Sequence, residues 1–146
     1  MLAATVEEIR VGAMLIRFLV EGASSNGSAA MFECEVPANA KMPAPHSHDG
    51  YEETVYGLSG TTTFTVEGER CPIATGEALC IRRGQVHRFD NFGAEDAKFL
   101  AVITPGILGP AYFREIAAIF KASAGGPPNF AAIGEVMRRH GLTPAA

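Results

Sequence analysis

PHSHDGYEETVYGLSG (residues 45–60) and GEALCIRRGQVHRFDN (residues 76–91) hold three of the chain's four histidines. The first stretch runs His46-Ser-His48, then Glu53 after four residues and Gly60 after six more. The second sets out Gly76, Gly84, His87 and Asn91. Side chains i and i+2 of an extended strand point the same way, so His46 and His48 converge on one face. Glu52 and Glu53 are neighbours and point to opposite faces, so only one joins the histidines. Glu53 is the better choice, because it shares a face with Val55, an apolar residue suited to an interior. Glu52 is then left to solvent or a rim. His87 shares its face with Phe89 and Asn91, which carries it inward beside a core phenylalanine. Three imidazoles and one carboxylate are enough to fill four positions around a divalent metal ion. His140 stands apart, near the C-terminus.

Working outward, most of the first 104 residues read as short strands separated by turns. Residues 13–21 are apolar and end in a Gly/Ser-rich loop. Residues 28–36 alternate, with Ala30, Phe32, Cys34 and Val36 on one face, the period of a half-buried strand. Residues 37–45 hold three prolines and read as a loop. Runs at 53–58 and 61–67 flank Ser59-Gly60, a hairpin signal. Further runs fall at 78–82, 86–91 and 97–104. Many short strands with Gly and Pro turns and no intervening helix predict an all-β antiparallel sandwich or barrel. The pattern changes at Pro105-Gly106. Phe113, Ile116, Ala117 and Phe120 recur at helical spacing, and Gly125-Gly126-Pro127-Pro128 ends that helix. Asn129 caps a second helix carrying Phe130, Ile133 and Met137 on one face, with Gly141 past its end. The organisation expected is a β-barrel over 1–104 and a helical extension over 105–146, packed on the barrel or on a partner subunit.

Composition narrows the function classes. The 146 residues carry 12 basic and 16 acidic side chains, a net charge of −4. That is no footprint for nucleic acid or an anionic membrane. Three cysteines, an odd number without CxxC spacing, argue against a disulfide framework and for reduced thiols. The N-terminal stretch lacks the basic and apolar regions of a signal peptide, and the apolar run Met14–Val20 is too short to span a bilayer. The expectation is a cytoplasmic protein with a small-molecule ligand.

The two opening stretches resemble the paired motifs of the cupin superfamily, G-x5-HxH-x3/4-E-x6-G and G-x5-PxG-x2-H-x3-N. His46, His48, Glu53 and Gly60 match the first, and Gly76, Gly84, His87 and Asn91 the second. Ala40 stands where the first glycine is expected and Arg82 where the proline is. The resemblance implies a jelly-roll barrel with a three-histidine, one-glutamate metal site, holding iron, manganese, nickel, copper, cobalt or zinc. Affinity for the metal is expected to fall below about pH 6, where free imidazole protonates. Four protein ligands leave one or two coordination positions open, the mark of a catalytic site. The apolar members of the alternating faces, Phe32, Cys34, Phe64, Val66, Leu79, Ile81 and Phe89, are the candidate pocket walls, with Gly57 leaving room for a ligand. More loosely, RFLVEG (17–22), PAPHSH (43–48), EETVYGLSGTTTFTVEG (52–68), VITPG (102–106) and YFREI (112–116) resemble quercetinase-like cupins. That likeness implies a metal-dependent dioxygenase acting on a phenolic or enol compound, with Glu53 as ligand and catalytic base. An isomerase, cyclase or decarboxylase, including accessory proteins of polyketide pathways, is the alternative, and a binding or sensor module the third reading. Small cupins commonly pair, so a homodimer is expected.

Overall fold

The computed structural model describes residues 6–40 and 44–145. Residues 41–43 of the expected proline-rich loop lie outside them. Among the described residues, eleven strands form two antiparallel sheets. The larger contains β1 (Glu7–Val11), β2 (Met14–Val20), β3 (Ala30–Val36), β10 (Ala97–Thr104), β5 (Glu52–Ser59) and β8 (Ala78–Ile81), in that spatial order. The smaller contains β11 (Leu142–Pro144), β4 (His46–His48), β9 (His87–Asp90), β6 (Thr62–Val66) and β7 (Glu69–Ile73). The fold class is the all-β barrel expected, with two helices, α1 (Pro110–Ala122) and α2 (Phe130–Arg139).

Alternation builds the core. In β3, Ala30, Phe32, Cys34 and Val36 are buried while the residues between them are only half-buried. The two sheets meet through Phe64 on β6, Phe89 on β9 and Phe99 on β10, whose ring centroids lie 5.1–5.7 Å apart in edge-on and tilted pairs. Such contacts add to the burial of the rings themselves. Phe64 and Ile81 are fully buried core residues.

The hairpin expected at Ser59-Gly60 is a corner instead. β5 pairs with β10 and β8, whereas β6 pairs with β7 and β9, so the chain changes sheets there. Gly60 makes the turn at φ +62°, and a Cβ on it would lie 2.5 Å from the Asp96 carbonyl oxygen. The true hairpin follows β6. Its turn, Glu67-Gly68, takes positive φ at both residues, 49° and 82°, which matches the twist of the flanking strands.

Both helices pack on the chain's own barrel. Phe113 of α1 sits 4.9 Å from Phe32 and 6.1 Å from Phe18, centroid to centroid. The Asn129 side chain accepts a hydrogen bond from the Ala132 N–H at 3.1 Å, the cap the sequence implies. Ile133, Val136 and Met137 are buried, but Phe130, grouped with them in sequence, is 61% exposed. It occupies the first position of the helix, ahead of the turn that reaches the barrel. After α2 the chain adds β11 beside β4. Among the described residues no helix is long and apolar enough to cross a membrane.

Candidate metal centre

Opposite sheets assemble the candidate ligands. His46 and His48 come from β4, and His46 pairs directly across from His87 on β9. Their ligating nitrogens all lie within 4.8 Å of one another. Glu53 reaches in from β5 on the other sheet, its carboxylate oxygen 3.7 Å from Nε2 of both His48 and His87. At that separation these are close polar contacts rather than hydrogen bonds. Glu52 points away, as alternation requires, and takes a bidentate contact from Arg83 at 2.6 and 2.7 Å on the surface.

Backbone carbonyls orient two of the rings. Nδ1 of His46 donates to the Ala44 carbonyl and Nδ1 of His87 to the Gln85 carbonyl, both at 3.0 Å. A carbonyl only accepts, so each Nδ1 carries the proton and each Nε2 keeps its lone pair for the site. His48 is held differently. It stacks on the buried Tyr51 ring at 4.5 Å, and its own Nδ1 has no hydrogen-bond partner among the described residues. β11 steadies the strand beneath it: the Asp49 N–H donates to the Gly141 carbonyl at 2.9 Å, and Thr143 Oγ1 to the Asp49 carboxylate at 2.6 Å.

Burial sets the protonation states. Desolvation takes His46 down to about 4 and His48 to about 3, with neighbouring imidazoles adding to the effect. Both therefore stay neutral and ligand-ready well below the pH of 6 expected for free imidazole. Desolvation pulls the Glu53 carboxyl upward, but the surrounding histidines outweigh it and the net shift is downward. His87 moves upward: burial opposes its charge, and Glu53 more than compensates. Two buried neutral imidazoles, His46 and His48, with His87 and a buried carboxylate beside them, form a donor set that suits a divalent first-row metal.

A cavity of about 70 Å³ is lined by His46, His48 and Glu53. Phe32, Cys34 and Phe89 line it, as expected from the strand faces. Phe64, Val66, Leu79 and Ile81 do not; Phe64 and Ile81 are spent on the core. Gly57 does not open onto it either. Its missing Cβ would lie 2.1 Å from the Ala74 carbonyl oxygen, so this glycine admits backbone rather than a ligand. Further walls come from β1, β2 and β10 and from the two helices, none of them among the expected pocket residues. Tyr112, Phe113, Ile116 and Phe120 of α1, with Ile133 and Met137 of α2, roof the cavity over the histidines. The helical stripes at 113, 116 and 120 were visible in sequence, but nothing there told which surface they would cover.

A family model described as "Cupin domain" matches residues 32–103. The chain belongs to the cupin superfamily. An oxalate-binding protein of Thermotoga maritima is 38% identical over 58 residues, 40% of this chain and 48% of that protein. The tetracenomycin polyketide synthase protein TcmJ of Streptomyces glaucescens is 33% identical over 60 residues, 41% of this chain and 40% of that one. The chain thus spans half or less of the curated relatives it matches. Among solved structures, a predicted oxalate decarboxylase from Thermotoga maritima superposes with TM-score 0.61 at 26% identity, covering 69% of this chain and 92% of that one.

The other cupin motif positions prove to be turn and clamp residues. The Gly84 N–H donates to the His48 carbonyl at 2.8 Å, tying the second motif to the first. Asn91 clamps the loop after β9. Its amide donates to the Val36 and Glu95 carbonyls at 2.9 and 2.8 Å and its oxygen accepts from the Gly93 N–H at 2.9 Å. Both departures have local reasons. The left-handed residue before the histidine loop is Asn39 (φ 63°), so Ala40 is free of that demand. At the proline position, the Arg82 N–H donates to Gln85 Oε1 at 2.8 Å, a bond proline could not make. Tyr56 is 44% exposed and takes no part in the site.

Proposed function

We propose that His46, His48, His87 and Glu53 hold a divalent transition metal and that the chain is a metal-dependent enzyme for a phenolic or enol compound, acting as a dioxygenase. The observation that carries this reading is the cavity wall. The polar groups converge at one end, the rest is aromatic and aliphatic, and no lysine or arginine is among the described lining residues. A small dianion would find no cation there except the metal, whereas an apolar ring with one acidic oxygen suits such a wall. When bound, the metal supplies Lewis acidity to that oxygen and lowers its pKa. Glu53, held in its ionised form, accepts the hydroxyl proton. Cys34 stays a neutral thiol: burial raises its pKa, and the nearby Glu53 charge raises it further. The roof of Tyr112, Phe113 and Ile116 keeps bulk water from the reacting oxygen.

The likeness to the tetracenomycin synthase protein supports a second reading, an isomerase or cyclase that needs metal but no oxygen. Elemental analysis of freshly purified protein, then an oxygen electrode with a panel of phenols and enols, separates them. Metal-dependent oxygen uptake supports the dioxygenase. Turnover without uptake selects the second reading. Full activity in metal-free protein overturns both.

A further inference from the structure

A second concavity lies on the far side of the roof. It is a groove of about 880 Å³ between β1 and the two helices, lined by Arg10, Gly12, Arg114, Phe120, Lys121 and Ile133 among others. Phe120 and Ile133 line both the groove and the histidine cavity, so these two side chains are the partition between them. The inner space of about 70 Å³ is well below the roughly 150 Å³ that accommodates a benzene ring. A ring cannot enter while the partition is shut. Phe120 is half-buried in the last turn of α1 and packs against Gly12, where the ring edge lies 3.5 Å from the position of the missing Cβ. No side chain of Gly12 obstructs its rotation.

The groove differs from the cavity in charge. Its described lining contains three cations and no carboxylate. Arg114 is neutralised by Glu7 at 2.6 Å. Arg10 and Lys121 are exposed and make no ion pair among the described residues. We infer that the groove is the outer half of the ligand site. Phe120 and Ile133 part to admit the oxygen-bearing edge of the ligand, while its remainder lies in the groove with an acidic group facing Arg10 and Lys121. The substrate class is then an elongated phenol or enol carrying a carboxylate or similar anion at the end remote from the reacting oxygen. The inference rests on the metal-centred reading above.

Metal-loaded protein is titrated with 6-hydroxy-2-naphthoic acid and with 2-naphthol, following naphthol fluorescence. The acid should bind more tightly than the neutral compound. Arg10→Gln combined with Lys121→Gln should weaken the acid by roughly three- to tenfold, the scale of two exposed charge contacts, and leave 2-naphthol unchanged. Added salt should shrink the difference. Phe120→Ala should speed association of both probes. Equal binding of the acid to native and doubly substituted protein, or unchanged association rates in Phe120→Ala, overturns the inference. His48→Ala distinguishes its failure from that of the metal reading. If binding of both naphthols survives loss of His48, the metal-centred reading fails and takes the inference with it. If binding needs His48 but ignores Arg10 and Lys121, only the groove is refuted.

Discussion

Gly57 offers the sharpest test of how this barrel is built. An alanine there would place its Cβ 2.1 Å from the Ala74 oxygen, 2.7 Å from the Ala74 carbonyl carbon and 3.3 Å from the Thr75 nitrogen, where ordinary contact begins at 3.4 Å. The obstacle is backbone, so the 74–77 turn must retreat by more than an ångström. That turn is fastened to Gly57 itself: the Gly57 N–H donates to the Glu77 carbonyl and the Gly57 carbonyl accepts from the Gly76 N–H, both at 2.9 Å. The retreat sacrifices one or both bonds, each worth about 1 kcal/mol net, and adds an overpacking strain of about 1–3 kcal/mol. Gly57→Ala should therefore destabilise the fold by about 2–5 kcal/mol. For a chain of this size that lowers Tm by about 5–15 °C. Urea unfolding with a thermal melt measures both. Metal content of the folded variant should match native, because Gly57 does not line the cavity. A variant within 0.5 kcal/mol of native, as an innocuous surface change would be, would falsify the close-approach account. Altered ligand binding at unchanged stability would revive the view that this glycine makes room for substrate.

Three further outcomes follow from the site and its supports. His48→Ala and Glu53→Ala should lose metal on gel filtration, read by elemental analysis, while circular dichroism stays native; retention of a full equivalent by either counts against the ligand set. Asn91→Ala strands the Val36 and Glu95 carbonyls and should cost about 2–4 kcal/mol in urea unfolding, with no change in metal affinity if the residue is a clamp alone. Glu115 is held below the usual carboxylate range by Arg139 first and His140 second. A depressed folded pKa gives stability that is present above the unfolded value near 4.3 and is lost as pH falls through the folded one. Glu115→Gln should therefore flatten the acid limb of a stability–pH curve below about pH 4.5, and an unchanged limb would show the surface cluster to be inert.

The parts legible in sequence were those governed by strict periodicity. Alternation put Glu53 inside and Glu52 outside, and β3 buries the face it was read to bury. The HxH spacing worked because β4 is extended. What failed depended on neighbours far along the chain. Phe64 and Leu79 belong to apolar faces, yet which apolar residue meets the ligand depends on where the sheets separate, and alternation carries no such information. β7 and β11 escaped notice for a different reason. Glu69–Ile73 contains a proline and alternates weakly, while Leu142–Pro144 is a three-residue edge strand beside β4. Such strands take their conformation from a partner rather than from propensity.

The division between histidines and roof bears on what kinship can say about the reaction. The family match ends at residue 103, and the two curated relatives align over 58 and 60 residues. The four candidate ligands fall inside the matched segment; the walls contributed by Tyr112, Phe113, Ile116, Phe120, Ile133 and Met137 fall outside it. An imidazole–carboxylate cluster suits a first-row metal that would polarise an oxygen, and related chains can share that without sharing a ligand. Discrimination between ligands comes from the surfaces that exclude water and fill against the substrate. Here the two helices supply the roof of that surface, beside walls from the strands, and they are set in place by the β11–β4 pairing and the Asn129 cap. Exchanging α1 and α2 for those of another cupin, with β4, β5 and β9 untouched, should therefore preserve metal binding and change the accepted ligand. Loss of the metal on such an exchange would mean that the roof also holds the histidines in place.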